Sequence, residues 1–114
     1  MIRRGEVWWA ALAERAGSEP GHRPGRWSSF NATNFNESRI RTVVVVALTT
    51  NLRLAAAPGN VLCRKMETGL PKESVINVSQ VFAINKIRLT HRAGKLSAGL
   101  MQTVEAGLRS VLGL

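Results

Sequence analysis

Four consecutive valines restrict what this chain can fold into. They lie in residues 42–48 (Thr-Val-Val-Val-Val-Ala-Leu), a run that is apolar at every position after the threonine. A strand with one face in water alternates polar and apolar side chains, whereas an unbroken β-branched run is typical of a strand that is buried on both faces. The run therefore predicts a strand that the rest of the chain covers from both sides.

Other segments predict further strands and a helix. Residues 6–12 are aromatic and β-branched at their start, and residues 74–82 alternate imperfectly, so both are predicted as strands. From Leu100 to Leu112 the apolar residues recur at helical spacing, and Ser97 stands at the expected N-cap. Several short strands followed by a helix predict a mainly β fold, and we expect residues 1–114 to form a single domain.

The charge balance favours a polyanionic or acidic partner. The sequence has 16 Lys and Arg against 7 Asp and Glu, a net charge of +9. Such an excess attracts nucleic acid through counterion release, or an acidic protein through electrostatic steering.

Cysteine usage and hydropathy predict a cytoplasmic protein. Cys63 is the only cysteine, so an intramolecular disulfide is impossible and a reducing compartment is expected. No apolar run is long enough to span a bilayer, and the first residues lack the apolar core of a signal peptide. We therefore expect no membrane association.

The residue inventory narrows the possible chemistry. His22 and His91 are the only histidines, the sequence has no aspartate, and no spacing resembles a zinc site or a nucleotide-binding loop. Any reaction then has to use Arg, Glu, His, Ser or Thr, without a metal or a cofactor. RNA cleavage suits this set, because the 2′-hydroxyl of RNA supplies the nucleophile and the protein has only to move protons and stabilise the phosphorane.

Two short segments carry suitable groups. Glu19, His22 and Arg23 lie close together in a polar loop over residues 16–25, although an ordinary polar turn would look the same. Thr49 and Thr50 follow directly on the all-valine strand, where their hydroxyls either face a ligand or bond to nearby backbone.

The order of these segments resembles a known family. Gly17-Ser18-Glu19 followed by Gly21-His22-Arg23-Pro24, then residues 47–51 (Ala-Leu-Thr-Thr-Asn), then residues 72–80 from Lys72 to Gln80, are similar to the successive motifs of MazF/PemK toxins. Each motif alone is weak, but their succession covers nearly the whole chain.

The resemblance implies a fold, an activity and partners. The fold would be a small SH3-like β-barrel with a C-terminal helix, as in MazF, PemK and CcdB toxins, and the protein would be a homodimer. The activity would be sequence-selective, metal-independent cleavage of single-stranded RNA, leaving a 2′,3′-cyclic phosphate and a 5′-hydroxyl. An acidic MazE-type antitoxin would neutralise it.

The same resemblance implies roles for individual residues. Arg23 would be the catalytic arginine, Thr49 the hydroxyl that orients the phosphate, and Glu19 the general base, with His22 as the alternative base. No metal ligand and no cofactor are implied. The residues expected to contact RNA are Ser18, Thr50, Asn51, Arg53, Ser74 and Gln80. Among the further basic residues, Arg64 and Lys65 are candidates for backbone contacts, although a solvated basic face is the more common reason for such residues.

One segment departs from the family pattern. After Pro24 the family continues into a Val-rich strand, whereas residues 25–34 read Gly-Arg-Trp-Ser-Ser-Phe-Asn-Ala-Thr-Asn. This segment has no period-2 apolar pattern and predicts a poor central strand. Either a shifted reading frame, which can encode Ser-Val-Val-Val-Val-Gln-Arg-Asp-Gln there, or a rebuilt strand would account for it. The placement of Arg23, just upstream, depends on the answer.

Two other functions remain open. A catalytically impaired homologue would bind RNA or antitoxin without cutting. A CcdB-like toxin would bind gyrase through an aromatic residue near the C-terminal end of the last helix, but the chain ends Val111-Leu112-Gly113-Leu114 without one.

Overall fold

Six strands form one antiparallel sheet. The computed structural model describes residues 2–11, 25–29 and 39–114, and the strand order across the sheet is β4-β5-β3-β2-β1-β6. The strands are β1 (Glu6–Ala10), β2 (Gly25–Ser29), β3 (Thr42–Thr49), β4 (Val61–Cys63), β5 (Ser74–Asn85) and β6 (Leu89–Lys95). The helices are a short α1 (Lys65–Thr68) and the terminal α2 (Ala98–Leu112), with 3-10 turns at Leu52–Ala56 and Lys86–Arg88.

The all-valine strand lies in the middle of the sheet, as predicted. β3 pairs with β2 on one side and with β5 on the other. Val43, Val45 and Val46 are at most 1 % exposed, and only Val44 is half-buried. The two faces of β3 pack into separate apolar clusters, one containing Val46 and the other Val43 and Val45. The valine run therefore contributes side chains to both clusters.

The prediction of a poor central strand at residues 25–34 is wrong for Gly25–Ser29. This stretch forms β2, which pairs with β1 and β3 and places Ser28 opposite Val7 and Val46. The backbone of β2 forms hydrogen bonds with a strand on each side, and this backbone pairing does not require an alternating pattern of side chains. Residues 30–34 and the predicted polar loop up to residue 24 lie outside the described part of the chain.

Strand β5 is interrupted by a wide bulge. Val46 of β3 faces Val81, whereas the next residue, Ala47, faces Asn77, so residues 78–80 have no partner in β3. The half-buried side chain of Asn60 fixes the start of this bulge, because its Oδ1 accepts the Val78 N–H at 3.0 Å and its Nδ2 donates to the Leu54 carbonyl at 2.8 Å. This bulge explains why residues 74–82 alternate imperfectly in the sequence. The strand continues to Asn85.

The terminal helix closes one side of the sheet. Ser97 caps it, as predicted, by accepting the Leu100 N–H at 3.2 Å. Met101, Val104 and Gly107 face the core, while Val111 and Leu112 are 44 % and 56 % exposed, so the buried stripe ends earlier than the apolar spacing predicts. The mainly β fold with a C-terminal helix is confirmed. Within the described residues the strand pairing runs in a line from β4 to β6 and does not close into a barrel.

A buried carboxylate ties the N-terminal segment to the sheet edge. Glu6 is 2 % exposed and accepts hydrogen bonds from the Arg3 N–H at 2.5 Å and from Trp8 Nε1 at 3.3 Å. Its second oxygen accepts from Arg92 Nη1 at 2.9 Å, on the neighbouring strand β6. A second ion pair, between Arg4 and Glu105, joins the same segment to α2 and lowers the pKa of the Glu105 carboxyl.

Candidate functional site

The end of β3 presents two threonines to solvent. Thr49 is half-buried and lies opposite Val75, and Thr50 is exposed. Thr49 Oγ1 accepts the Asn51 N–H at 3.1 Å, which is the local backbone bonding that the sequence left open. Accepting a hydrogen bond uses one lone pair of a hydroxyl and leaves its hydrogen available for a further acceptor. Thr49 therefore anchors the turn and keeps a donor for a ligand.

The turn after β3 is held by a side-chain cap together with backbone hydrogen bonds. Asn51 Oδ1 accepts the Arg53 N–H at 3.3 Å and caps the 3-10 turn Leu52–Ala56. Asn51 and Arg53 are both exposed. The structure therefore brings Thr50, Asn51 and Arg53 to one exposed turn, consistent with the contacts that the sequence predicts for them.

Ser74 does not share this exposure. It is fully buried at the start of β5, and its hydroxyl donates to the Lys72 carbonyl at 3.1 Å. This bond shapes the chain as it enters the strand. The RNA contact expected for Ser74 stays a prediction, and its burial gives that prediction no support.

Gln80 lies in the bulge of β5 and is exposed. Its Oε1 accepts from Asn77 Nδ2 at 3.1 Å, and Asn77 Oδ1 in turn accepts from Ser79 Oγ at 2.7 Å. Asn77 is only 7 % exposed, among apolar neighbours of the strand. Asn77 has no predicted role in the sequence; a polar residue inside the apolar half of β5 was the available signal.

A pocket of about 440 Å³ opens beside the end of β3. Two segments form its walls, the turn after β3 and the chain that runs from α1 to the start of β5. The side chains combine two cations, one anion, one hydroxyl and two apolar groups, and the lining residues are Thr50, Leu52, Lys65, Pro71, Lys72 and Glu73. Of these, the sequence predicts ligand contacts for Thr50 and Lys65.

The structure does not describe the first-loop residues of the predicted site. Ser18, Glu19, His22 and Arg23 lie outside the described ranges. In the residues that the structure does describe, no group of three or more His, Cys, Asp or Glu is placed to hold a metal ion, and no helix is long and apolar enough to cross a membrane. The buried Cys63 thiol has its pKa raised to about 11 by burial and by Glu67.

Comparison with known proteins places this chain in a family. Residues 3–112 match the family model described as PemK-like, MazF-like toxin of type II toxin-antitoxin system. The chain is 41 % identical over 114 residues to Endoribonuclease MazF2 of Mycobacterium bovis and to Endoribonuclease MazF6 of Mycobacterium tuberculosis, covering 100 % of this chain and 99 % of each relative.

Solved structures share the fold. An endoribonuclease in complex with its cognate antitoxin from a mycobacterial species matches with a TM-score of 0.76 at 22 % identity, over 100 % of this chain and 97 % of that one. MazE-MazF (Form-II) from Deinococcus radiodurans matches with a TM-score of 0.80 at 17 % identity, over 98 % and 96 % of the two chains. The class is therefore that of small β-sheet toxins with a terminal helix. This chain belongs to the PemK-like, MazF-like toxin family of type II toxin–antitoxin systems.

Proposed function

We propose that this chain is a sequence-selective endoribonuclease toxin that cleaves single-stranded RNA without a metal ion. Two full-length relatives at 41 % identity are named endoribonucleases. The observation that carries the proposal is Thr49, whose hydroxyl stands at the exposed end of a buried strand and keeps a hydrogen to donate while its oxygen holds the turn.

The proposed reaction needs few groups. Glu19, or His22 in its place, removes the proton of the 2′-hydroxyl, which attacks the adjacent phosphorus. Arg23 neutralises the phosphorane, and Thr49 donates to one of its oxygens. The bond to the 5′-oxygen then breaks, and that oxygen takes up a proton from solvent, leaving a 2′,3′-cyclic phosphate and a 5′-hydroxyl. Along the bound strand, the proposed contacts come from Ser18, Thr50, Asn51, Arg53, Ser74 and Gln80.

The proposal extends to partners and compartment. A fold neighbour was solved with its antitoxin, and the net charge of +9 suits both RNA and an acidic antitoxin of the MazE type. We place the protein in the cytoplasm as a homodimer, where the buried lone thiol of Cys63 stays reduced.

A cleavage assay in EDTA tests the proposal. Purified protein and a long RNA should give discrete fragments that end in cyclic phosphate, and Arg23→Ala or Thr49→Ala should abolish them. Thr49→Ser retains the hydroxyl and should keep most of the activity. Thr42→Ala removes an exposed threonine from the opposite end of the same strand and should have no effect. RNA binding without cuts at any protein concentration would instead support the catalytically impaired alternative.

A further inference from the structure

We propose that the pocket beside Thr50 binds one nucleotide of the RNA, next to the cleaved one, and prefers cytosine to uracil. The inference rests on the proposed function for its ligand class, but its residues differ from those that carry the chemistry. The pocket lies beside the exposed Thr50, the residue directly after β3. An RNA whose phosphate is bound by Thr49 therefore runs along the opening of the pocket.

Two lysines suit the pocket to a phosphate. Lys65, at the start of α1, and Lys72, just before β5, both line it and are both exposed. Neither forms an ion pair with any residue that the structure describes; the ion pairs there join Arg4 to Glu105 and Arg92 to Glu6. Two ammonium groups that line one pocket and form no ion pair there suit a nucleotide phosphate, which replaces their counterions, although the pocket also holds the one carboxylate of Glu73.

The remaining walls suit a base. Leu52 and Pro71 offer apolar surface against which the flat face of a base can pack, and Leu52 is 45 % exposed before any ligand binds. A volume of about 440 Å³ falls within the range of pockets that hold one small ligand. The pocket is therefore of the size and polarity that a single nucleotide needs.

Glu73 determines the base preference. A carboxylate accepts hydrogen bonds and donates none, and in protein–nucleic acid contacts Glu accepts from the amino group of cytosine. Uracil carries a carbonyl oxygen in place of that amino group, and its one edge donor lies between two carbonyl oxygens that repel a carboxylate. Among the described residues, none donates a hydrogen bond to the Glu73 carboxylate, which leaves its oxygens for the base.

Binding of two matched RNAs tests this site without requiring cleavage. The probes are fluorescent 2′-O-methyl oligonucleotides of cytidine and of uridine, of equal length, which lack the attacking hydroxyl; affinity is read by fluorescence anisotropy over a series of salt concentrations. We expect the cytidine probe to bind about 3- to 10-fold more tightly. Glu73→Gln, which adds a donor to the same shape, should remove most of this difference while both probes still bind.

The lysines are tested with the same probes. Lys65→Ala and Lys72→Ala should weaken both probes equally and should each reduce the slope of log K against log salt by about 0.7. Lys86→Ala is the matched control, because Lys86 follows the end of β5, at the opposite end of the β3–β5 pair from the pocket. Slopes that fall no further in Lys65→Ala and Lys72→Ala than in Lys86→Ala would overturn the pocket.

The outcomes separate this proposal from the proposed function. Wild-type protein that cleaves RNA but binds both probes equally overturns the pocket and leaves the ribonuclease intact. Wild-type protein that prefers the cytidine probe, loses that preference with Glu73→Gln and cuts no RNA overturns the ribonuclease and supports the pocket.

Discussion

Asn77 donates a hydrogen bond from Nδ2 to Gln80 Oε1 at 3.1 Å, across the bulge of β5. A buried amide among apolar side chains is costly unless its hydrogen-bonding groups are used, and here both ends of the amide are engaged. Because the Gln80 oxygen is occupied, the NH₂ group of its amide is the part that remains for a phosphate or a base.

Replacing Asn77 should therefore reduce activity through Gln80. We expect Asn77→Ala to lower RNA cleavage about 10-fold, as much as Gln80→Ala does, and the double variant to be no worse than either single one. The free energy of unfolding should fall by about 1–3 kcal/mol as measured by urea denaturation. Asn85→Ala is the control, since Asn85 lies in the same strand and its side chain accepts the nearby Ile87 N–H at 3.1 Å. Additive losses in the double variant would show that Asn77 does not act through Gln80.

Two glycines of α2 should respond to alanine in opposite directions. A Cβ at Gly107 would lie 2.4 Å from the Gly59 carbonyl oxygen, whereas at Gly99 the nearest atom is Ser97 Oγ at 4.0 Å. Alanine is the better helix former by about 1 kcal/mol, so Gly99→Ala should stabilise the fold by up to that amount. Gly107→Ala should destabilise it by about 1–3 kcal/mol despite the same propensity gain. Thermal and urea unfolding of the pair check this, and equal shifts would contradict the close packing.

Position 28 should accept an apolar residue. Ser28 pairs with Val7 and Val46, both 0 % exposed, so its strand partners on both sides are residues of the larger apolar cluster. Ser28→Val should raise the free energy of unfolding by about 1 kcal/mol. In Ser110→Val, made at an exposed position of α2, stability should stay constant or decrease slightly. The shifted reading frame would also place valine at this position, so a stabilised Ser28→Val variant supports the shifted frame. A destabilised variant indicates a rebuilt strand instead.

High pH should weaken the fold through Cys63. Burial and Glu67 raise the pKa of its thiol from 9.0 to about 11. The unfolded thiol therefore loses its proton first as the pH rises, so this group's contribution to stability falls from about pH 9 to about pH 11. The loss is on the order of 2 kcal/mol. Cys63→Ala should start less stable but show a shallower decline over this range in parallel urea titrations; an identical decline would mean that the thiol does not contribute.

The elements that the sequence predicts best are those whose cause is local. The valine run of β3 and the Ser97 cap depend on adjacent residues, and both are confirmed. β2 is not recognised, because pairing from two sides determines its backbone and its own side chains carry no pattern. β6 is also missed, since Leu89–Lys95 is an edge strand with mostly exposed polar residues. The bulge of β5 depends on Asn60, which is 18 residues from Val78.

The candidate site divides in the same way. Thr49 and Thr50 can be found from sequence because they follow an apolar strand directly. The pocket cannot, because Lys65 and Lys72 are brought together only when α1 and the start of β5 pack beside the turn after β3. Asn77 can be noticed in the sequence as a polar residue in an apolar stretch. Its hydrogen bond to Gln80 cannot, because that bond depends on the bulge.

The bulge of β5 also has an evolutionary consequence. In a regular strand, one inserted or deleted residue reverses the face of every side chain beyond it. Residues 78–80 have no partner in β3, so a change of length there would alter only the size of the bulge and keep Ile76 and Val81 in register with Leu48 and Val46. A residue can therefore be gained or lost beside Gln80 without refolding the sheet, so the length of this short stretch can change in evolution while the strand pairing on both sides of it stays constant.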